Sequence, residues 1–120
     1  MNPNIGKPGM VGAGPGQTLQ HKTLENVQGK VKQVLDYLKT HAHPEEASIK
    51  QFIAHLKGLS KDINNLQAAL PTLKASYDAA LDALESAEKA FKPQKNEGTI
   101  NREVLIVRNQ LNKIVTAQIG

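Results

Sequence analysis

Apolar residues recur along the chain in alternating steps of three and four positions, from Leu24 to Ile114. These steps place them on one face of an α-helix, and a repeat of about 3.5 residues keeps that face turned toward a neighbouring helix along its length. The pattern therefore predicts an all-α protein, built as a helical bundle or coiled coil of three to four helices. The predicted helices cover approximately residues 18–40, 45–70, 72–92 and 99–118.

The middle of the chain carries the most regular apolar seam, and this seam crosses a proline. Its register continues from Leu70 to Leu73 on either side of Pro71. A proline inside a helix removes a hydrogen bond and costs about 3 kcal/mol, so Pro71 either bends one long helix over residues 45–91 or follows a hairpin. The unbroken register favours the kinked helix, because a hairpin does not need to preserve it. The seam comprises Ile49, Phe52, Leu56, Leu59, Ile63, Leu66, Leu70, Leu73, Tyr77, Ala80, Leu84, Ala87 and Phe91.

The last predicted helix is apolar over much of its circumference, which predicts that it is buried on more than one side. The positions flanking the middle seam are mostly small, neutral or apolar, whereas a two-stranded zipper usually carries opposite charges there. Both features favour a bundle of three or four helices. In the last helix the seam comprises Ile100, Val104, Val107, Leu111 and Ile114, and Leu105, Ile106, Val115 and Ile119 lie off it.

Residues 1–16 differ from the rest of the chain in composition, since eight of the sixteen positions are glycine or proline. Neither helix nor strand propagates through such a segment. We expect a flexible tail, followed by a single helical domain over residues 17–120. The alternative is a partner-binding arm, whose apolar contacts would be Ile5, Met10 and Val11.

The composition excludes several classes of protein. The chain has no cysteine, which rules out disulfide frameworks and thiolate chemistry. No apolar run approaches the roughly 18 residues that a membrane-spanning helix needs, so membrane insertion is not expected. The start of the chain lacks the apolar stretch of a secretory signal. We therefore expect a soluble intracellular protein, without distinguishing the cytoplasm from the nucleus.

Candidate catalytic and metal-binding residues are sparse. His41 and His43 lie two positions apart beside Pro44, but no carboxylate or thiol stands at a spacing that would complete a metal site. Histidines near the end of a helix also suit the negative end of its dipole. The acidic residues of the third predicted helix occupy mainly outward positions. The sequence thus predicts no enzyme activity, no catalytic residue, no cofactor, no metal and no small-molecule substrate.

Two functions remain as hypotheses. The first is a non-catalytic helical scaffold, a subunit of a larger complex whose apolar seams bind other protein helices, in a homo- or hetero-oligomer. The second follows from the net charge of +4: a basic helical module that contacts nucleic-acid phosphates without sequence preference, through Lys50, Lys57 and Lys61. A monomer whose seams satisfy one another is a third arrangement. The predicted partner-binding residues of the first hypothesis are Ile49, Phe52, Leu56, Leu59, Ile63, Leu66, Val104, Val107, Leu111 and Ile114.

Overall fold

A computed structural model of the chain describes residues 19–41 and 43–119. These residues form α-helices and connecting turns, without any strand, which confirms the all-α prediction. The predicted tail over residues 1–16 lies outside the described residues. In chain order the helices of the described part are α1 (Leu19–Thr40), α2 (Glu46–Lys57), α3 (Ser60–Leu66), α4 (Pro71–Lys89) and α5 (Glu97–Val115).

Helices α2 and α3 run back along α1. Near the C-terminal end of α1, the Tyr37 ring packs edge-on against Phe52 with 5.0 Å between ring centroids. Near its other end, Asn26 Nδ2 donates to Asp62 Oδ2 over 3.4 Å. Because the later residue of α1 meets the earlier residue of the α2–α3 segment, the two are antiparallel.

A turn at Gly58 and Leu59 separates α2 from α3. The amide of Leu59 donates to Leu56 O, three residues back, over 2.9 Å, a tighter closure than the four-residue step of an α-helix. Leu59 nevertheless stays buried, with 1% of its surface exposed. This break gives the described chain five helices where the sequence predicted three or four.

The favoured prediction of one long helix kinked at Pro71 is wrong, because the chain reverses between α3 and α4. Helix α4 runs antiparallel to α2 and is linked to it by ion pairs. Lys50 Nζ lies 3.9 Å from Glu88 Oε2, and Lys57 Nζ lies 3.6 Å from Glu85 Oε2. These contacts join residues that a continuous helix would hold tens of ångströms apart, at 1.5 Å of rise per residue.

The local reason for the reversal lies in the residue before the proline. Leu70 has left the helical region, with φ −136° and ψ 77°, as expected for a residue whose backbone clashes with the following proline ring. Pro71 then occupies the first position of α4, where its missing N–H would have had no partner. The apolar register survives the reversal because α3 and α4 turn their seams toward the same core.

Helix α5 packs between α4 and α1 and runs antiparallel to both. Its C-terminal end lies beside Gln28 of α1, whose side-chain amide donates to Ile114 O over 3.1 Å and to Ala117 O over 2.8 Å. Toward its N-terminal end, Val104 and Leu38 of α1 line the same cavity. Consecutive long segments of the chain therefore alternate in direction around one core.

The core draws on every helix and contains most of the predicted seam positions, whereas Phe52, Leu70 and Phe91 are only partly buried against it. No polar or charged residue of the described chain is buried in it, so burial of aliphatic side chains is the main source of stability, at about 25 cal/mol per Å² of apolar surface. Its members are Leu24, Val27, Val31, Val34, Leu35, Leu38, Ile49, Ile53, Leu56, Leu59, Ile63, Leu66, Leu73, Tyr77, Ala80, Ala83, Leu84, Ala87, Ile100, Val104, Val107, Leu111 and Ile114.

Replacing Gln28 by alanine is expected to destabilise the fold by about 1–2 kcal/mol. The amide of Gln28 bonds three carbonyls at the end of α5, those of Ile114, Val115 and Ala117, and a helix end leaves such carbonyls without internal donors. Urea unfolding followed by circular dichroism measures the change. Gln33→Ala, an exposed position of the same helix, is the matched control, and an equal loss in both variants would contradict the assigned role.

Candidate protein-binding groove

The predicted partner-binding residues lie inside the chain's own core. All but one are at most 6% exposed, and the exception, Phe52, is half-buried against Tyr37. The helices of this chain therefore cover these side chains, and binding a partner through them would require the helices to separate. Partner binding by this set stays a prediction. The buried members are Ile49, Leu56, Leu59, Ile63, Leu66, Val104, Val107, Leu111 and Ile114.

The three lysines of the nucleic-acid hypothesis lie on the surface, but two of them face carboxylates. Lys50 and Lys57 of α2 pair with Glu88 and Glu85 of α4. Lys61 is exposed on α3. Phosphates approaching this surface would meet the acidic residues of α4 together with the lysines, which weakens the attraction. Nucleic-acid binding stays a prediction.

Large apolar side chains are exposed at three positions of the described chain. Leu19 at the start of α1 is 80% exposed, Leu105 is 53% exposed and Ile106 is 37% exposed. The last two are neighbours on α5, whereas Val115 and Ile119 are partly buried against the core. The predicted burial of α5 on more than one side is thus correct for its contacts with α1 and α4 and wrong for Leu105 and Ile106.

Leu105 forms one edge of an open cavity between the C-terminal end of α1 and the first half of α5. The cavity has a volume of about 300 Å³. Its floor is apolar, because Leu38 and Val104 of the core reach it, and its remaining walls are polar. We call this feature the α1/α5 groove. The groove is lined by Leu38, His43, Asn101, Val104, Leu105 and Arg108.

The charge of the groove is positive. Arg108 supplies a guanidinium that stays protonated at any physiological pH, and no acidic residue lines the cavity. On the same two helices, Asp36 lies 3.0 Å from Lys32 Nζ, and Glu103 lies 3.5 Å from Arg102 Nε. Within the described part of the chain Arg108 forms no ion pair, so its charge is available to a ligand.

Two further cavities differ in character from the groove. One of about 540 Å³ between α4 and α5 is lined mainly by small and polar side chains, such as Ala75, Ala79 and Gln110. Another of about 220 Å³ lies between α1 and α2 beside Tyr37 and Phe52. Neither of these cavities, nor one of about 280 Å³ beside Gln28 and Ala117, includes an exposed large apolar residue, whereas the α1/α5 groove includes Leu105.

The described residues contain neither a cluster of metal ligands nor a membrane-spanning helix. No three histidine, aspartate or glutamate side chains among them come together in a way that would hold a metal ion. Across residues 19–41 and 43–119, no helix has the length and apolar character needed to cross a membrane. Comparison of the chain with protein-family models, with curated proteins and with solved structures finds no match.

Proposed function

We propose that this protein is a non-catalytic interaction module, a subunit of a larger protein complex that binds a partner helix in the α1/α5 groove. In this proposal the apolar seams hold the chain together as an antiparallel helical bundle, and the outer surface contacts the partner. The observation that carries the proposal is Leu105, which is 53% exposed beside a cavity floored by Leu38 and Val104.

The apolar groove favours a protein partner over a nucleic acid. An exposed apolar surface that adjoins a cavity is a common feature of protein-binding sites. An aliphatic side chain buried in such a cavity contributes about 1.5–3 kcal/mol, whereas a phosphate gains nothing from Leu38, Val104 or Leu105. Helix-in-groove recognition uses this combination of an apolar floor and a polar rim.

Replacing Leu105 by aspartate is expected to release the chain from its complex without unfolding it. The substitution places a charge at the edge of the apolar floor, where a partner side chain would have to desolvate it. The measurement is the elution of the tagged chain from a gel-filtration column, loaded with an extract of the cells that normally make the protein. The wild-type chain should elute well ahead of the purified monomer, and Leu105→Asp should elute with it.

Leu19→Asp is the matched control, because Leu19 is also an exposed leucine but stands at the opposite end of α1 from the groove. It should elute like the wild-type chain. A wild-type chain that elutes as a monomer, or an equal effect of both substitutions, would refute the proposed function. Circular dichroism of the purified variants verifies that each remains helical.

A further inference from the structure

We infer that the occupant of the α1/α5 groove is an acidic amphipathic helix of a different protein, with an aliphatic stripe on one face and carboxylates beside it. This inference rests on the proposed function and names the chemistry of its partner.

The rim of the groove selects carboxylates. Arg108 lines the cavity and forms no ion pair within the described residues, and His43, which also lines it, is a second potential donor. Lys39, in the last turn of α1, is exposed and adds positive charge to the end of α1 that borders the groove. An arginine binds a carboxylate through two parallel hydrogen bonds. A partner with glutamate or aspartate beside its apolar residues therefore contacts Arg108 and the apolar floor at the same time.

The floor of the groove selects an aliphatic side chain. Leu38 and Val104 are 2% and 6% exposed, so they are held in place by the core and form a preorganised surface. A partner side chain entering the cavity of about 300 Å³ removes apolar surface from water on both sides. Leu105, which is 53% exposed, adds a further apolar contact at the edge of the cavity.

A second copy of the chain does not present the complementary surface. Exposed carboxylates occur on several helices, and two of them, Asp78 and Asp82, lie close together on the outside of α4. The leucine between them, Leu81, is partly buried against the chain's own core. Of the exposed large apolar residues of the described chain, Leu19 lies at the start of α1, and Leu105 and Ile106 lie on α5 between Arg102 and Arg108. The described chain therefore lacks an exposed aliphatic stripe flanked by carboxylates, and the partner must supply one.

The experiment uses two synthetic helical peptides with the same leucine stripe, one flanked by glutamates and the other by lysines. Each is titrated into the full-length chain and followed by fluorescence anisotropy of a label on the peptide. The glutamate peptide should bind, with an affinity that falls as salt is raised, and the lysine peptide should bind at least about tenfold more weakly. Equal binding of both peptides, or no binding of the glutamate peptide, would overturn the inference.

Two charge reversals locate the binding. Arg108→Glu should weaken binding of the glutamate peptide by about tenfold or more. Lys89→Glu makes the same change in net charge at a position of α4 that does not line the groove, and it should leave the affinity within about twofold. An equal effect of both would mean general electrostatic attraction and would overturn the inference. Sedimentation of the chain alone measures whether it self-associates. Self-association that Leu105→Asp abolishes would identify a second copy as the occupant and exclude the acidic helix.

The two proposals fail separately. If Leu105→Asp releases the chain from its native complex but the glutamate and lysine peptides bind equally, the groove binds a partner of another chemistry and the proposed function stands. If Leu105→Asp leaves the native complex intact, the proposed function fails whatever the peptides do.

Discussion

Replacing Leu111 by aspartate is expected to unfold the isolated chain at neutral pH. Leu111 is fully buried in the second half of α5, in a core that holds no buried polar or charged residue of the described chain. An unpaired carboxylate in such surroundings costs several kcal/mol, and the lost leucine contacts cost more. Domains of ordinary size are stable by about 5–15 kcal/mol. We expect far-ultraviolet circular dichroism to show the loss of the cooperative melt.

Leu59→Asp tests the same point from the turn between α2 and α3, because Leu59 is 1% exposed, and it should unfold the chain equally. Leu105→Asp is the control, since it introduces the same group at a position of the same helix as Leu111 that is half exposed. It should melt cooperatively. A Leu111→Asp chain that keeps a cooperative melt would mean that the seam of α5 is not the core of the monomer, and that it faces a partner as the first sequence hypothesis states.

The sequence identified most of the buried positions because steps of three and four residues define one face of a helix whatever lies opposite. Leu35, Ile53 and Ala83 are also buried, beside the predicted seams. Ile49, Ile63 and Leu111 are fully buried at positions that the steps indicate. The same property explains what the pattern does not reveal, since the steps are identical for a seam that meets another helix of the same chain and for one that meets a partner. Both arrangements bury the same side chains.

The reversal at Pro71 was mispredicted for a related reason. Register along a helix and register across a hairpin are both maintained when the two segments turn toward one core, so an unbroken seam does not distinguish them. What separates the two shapes is a long-range contact such as Lys50 with Glu88, which joins residues 38 positions apart in the sequence. No local pattern encodes that contact.

The candidate groove was only partly visible in the sequence. The sequence shows Leu105 and Ile106 as apolar residues beside the seam, but their exposure depends on how far α1 and α4 extend over the flanks of α5. That coverage is set by the packing of distant segments. A signal did exist in the charges, since Arg102 and Arg108 stand within three residues of this apolar pair, and arginines beside an aliphatic stripe are unfavourable at a fully buried position.

Shortening Tyr77 to alanine is expected to destabilise the chain by about 3–5 kcal/mol, and replacing it by phenylalanine by about 1 kcal/mol. Tyr77 is 3% exposed, and its hydroxyl donates to Leu56 O in the last turn of α2. The alanine removes the ring and the hydrogen bond together, and the phenylalanine removes only the hydrogen bond. Urea unfolding at neutral pH measures both losses, and their difference gives the contribution of the ring.

The same hydroxyl makes the free energy of unfolding depend on pH in the alkaline range. Burial, and secondarily the charge of Asp78, raise the pKa of Tyr77 above its ordinary value of 10.0. The unfolded chain therefore releases this proton at a lower pH than the folded chain, so unfolding is favoured once the pH exceeds 10.0. The stabilising contribution is complete below that pH and is lost as the pH rises through the folded pKa.

The free energy of unfolding of Tyr77→Phe should accordingly fall less than that of the wild-type chain between about pH 9 and pH 11, although the variant is the less stable protein at pH 7. The control is Tyr37→Phe, whose hydroxyl lies 3.2 Å from Ser48 Oγ between α1 and α2, and which retains the Tyr77 proton. It should follow the alkaline decline of the wild-type chain. Parallel declines in the wild-type and Tyr77→Phe chains would contradict this prediction. A smaller decline in Tyr77→Phe would locate the alkaline sensitivity at the contact between α4 and the end of α2, the pair of helices that the reversal at Pro71 brings together.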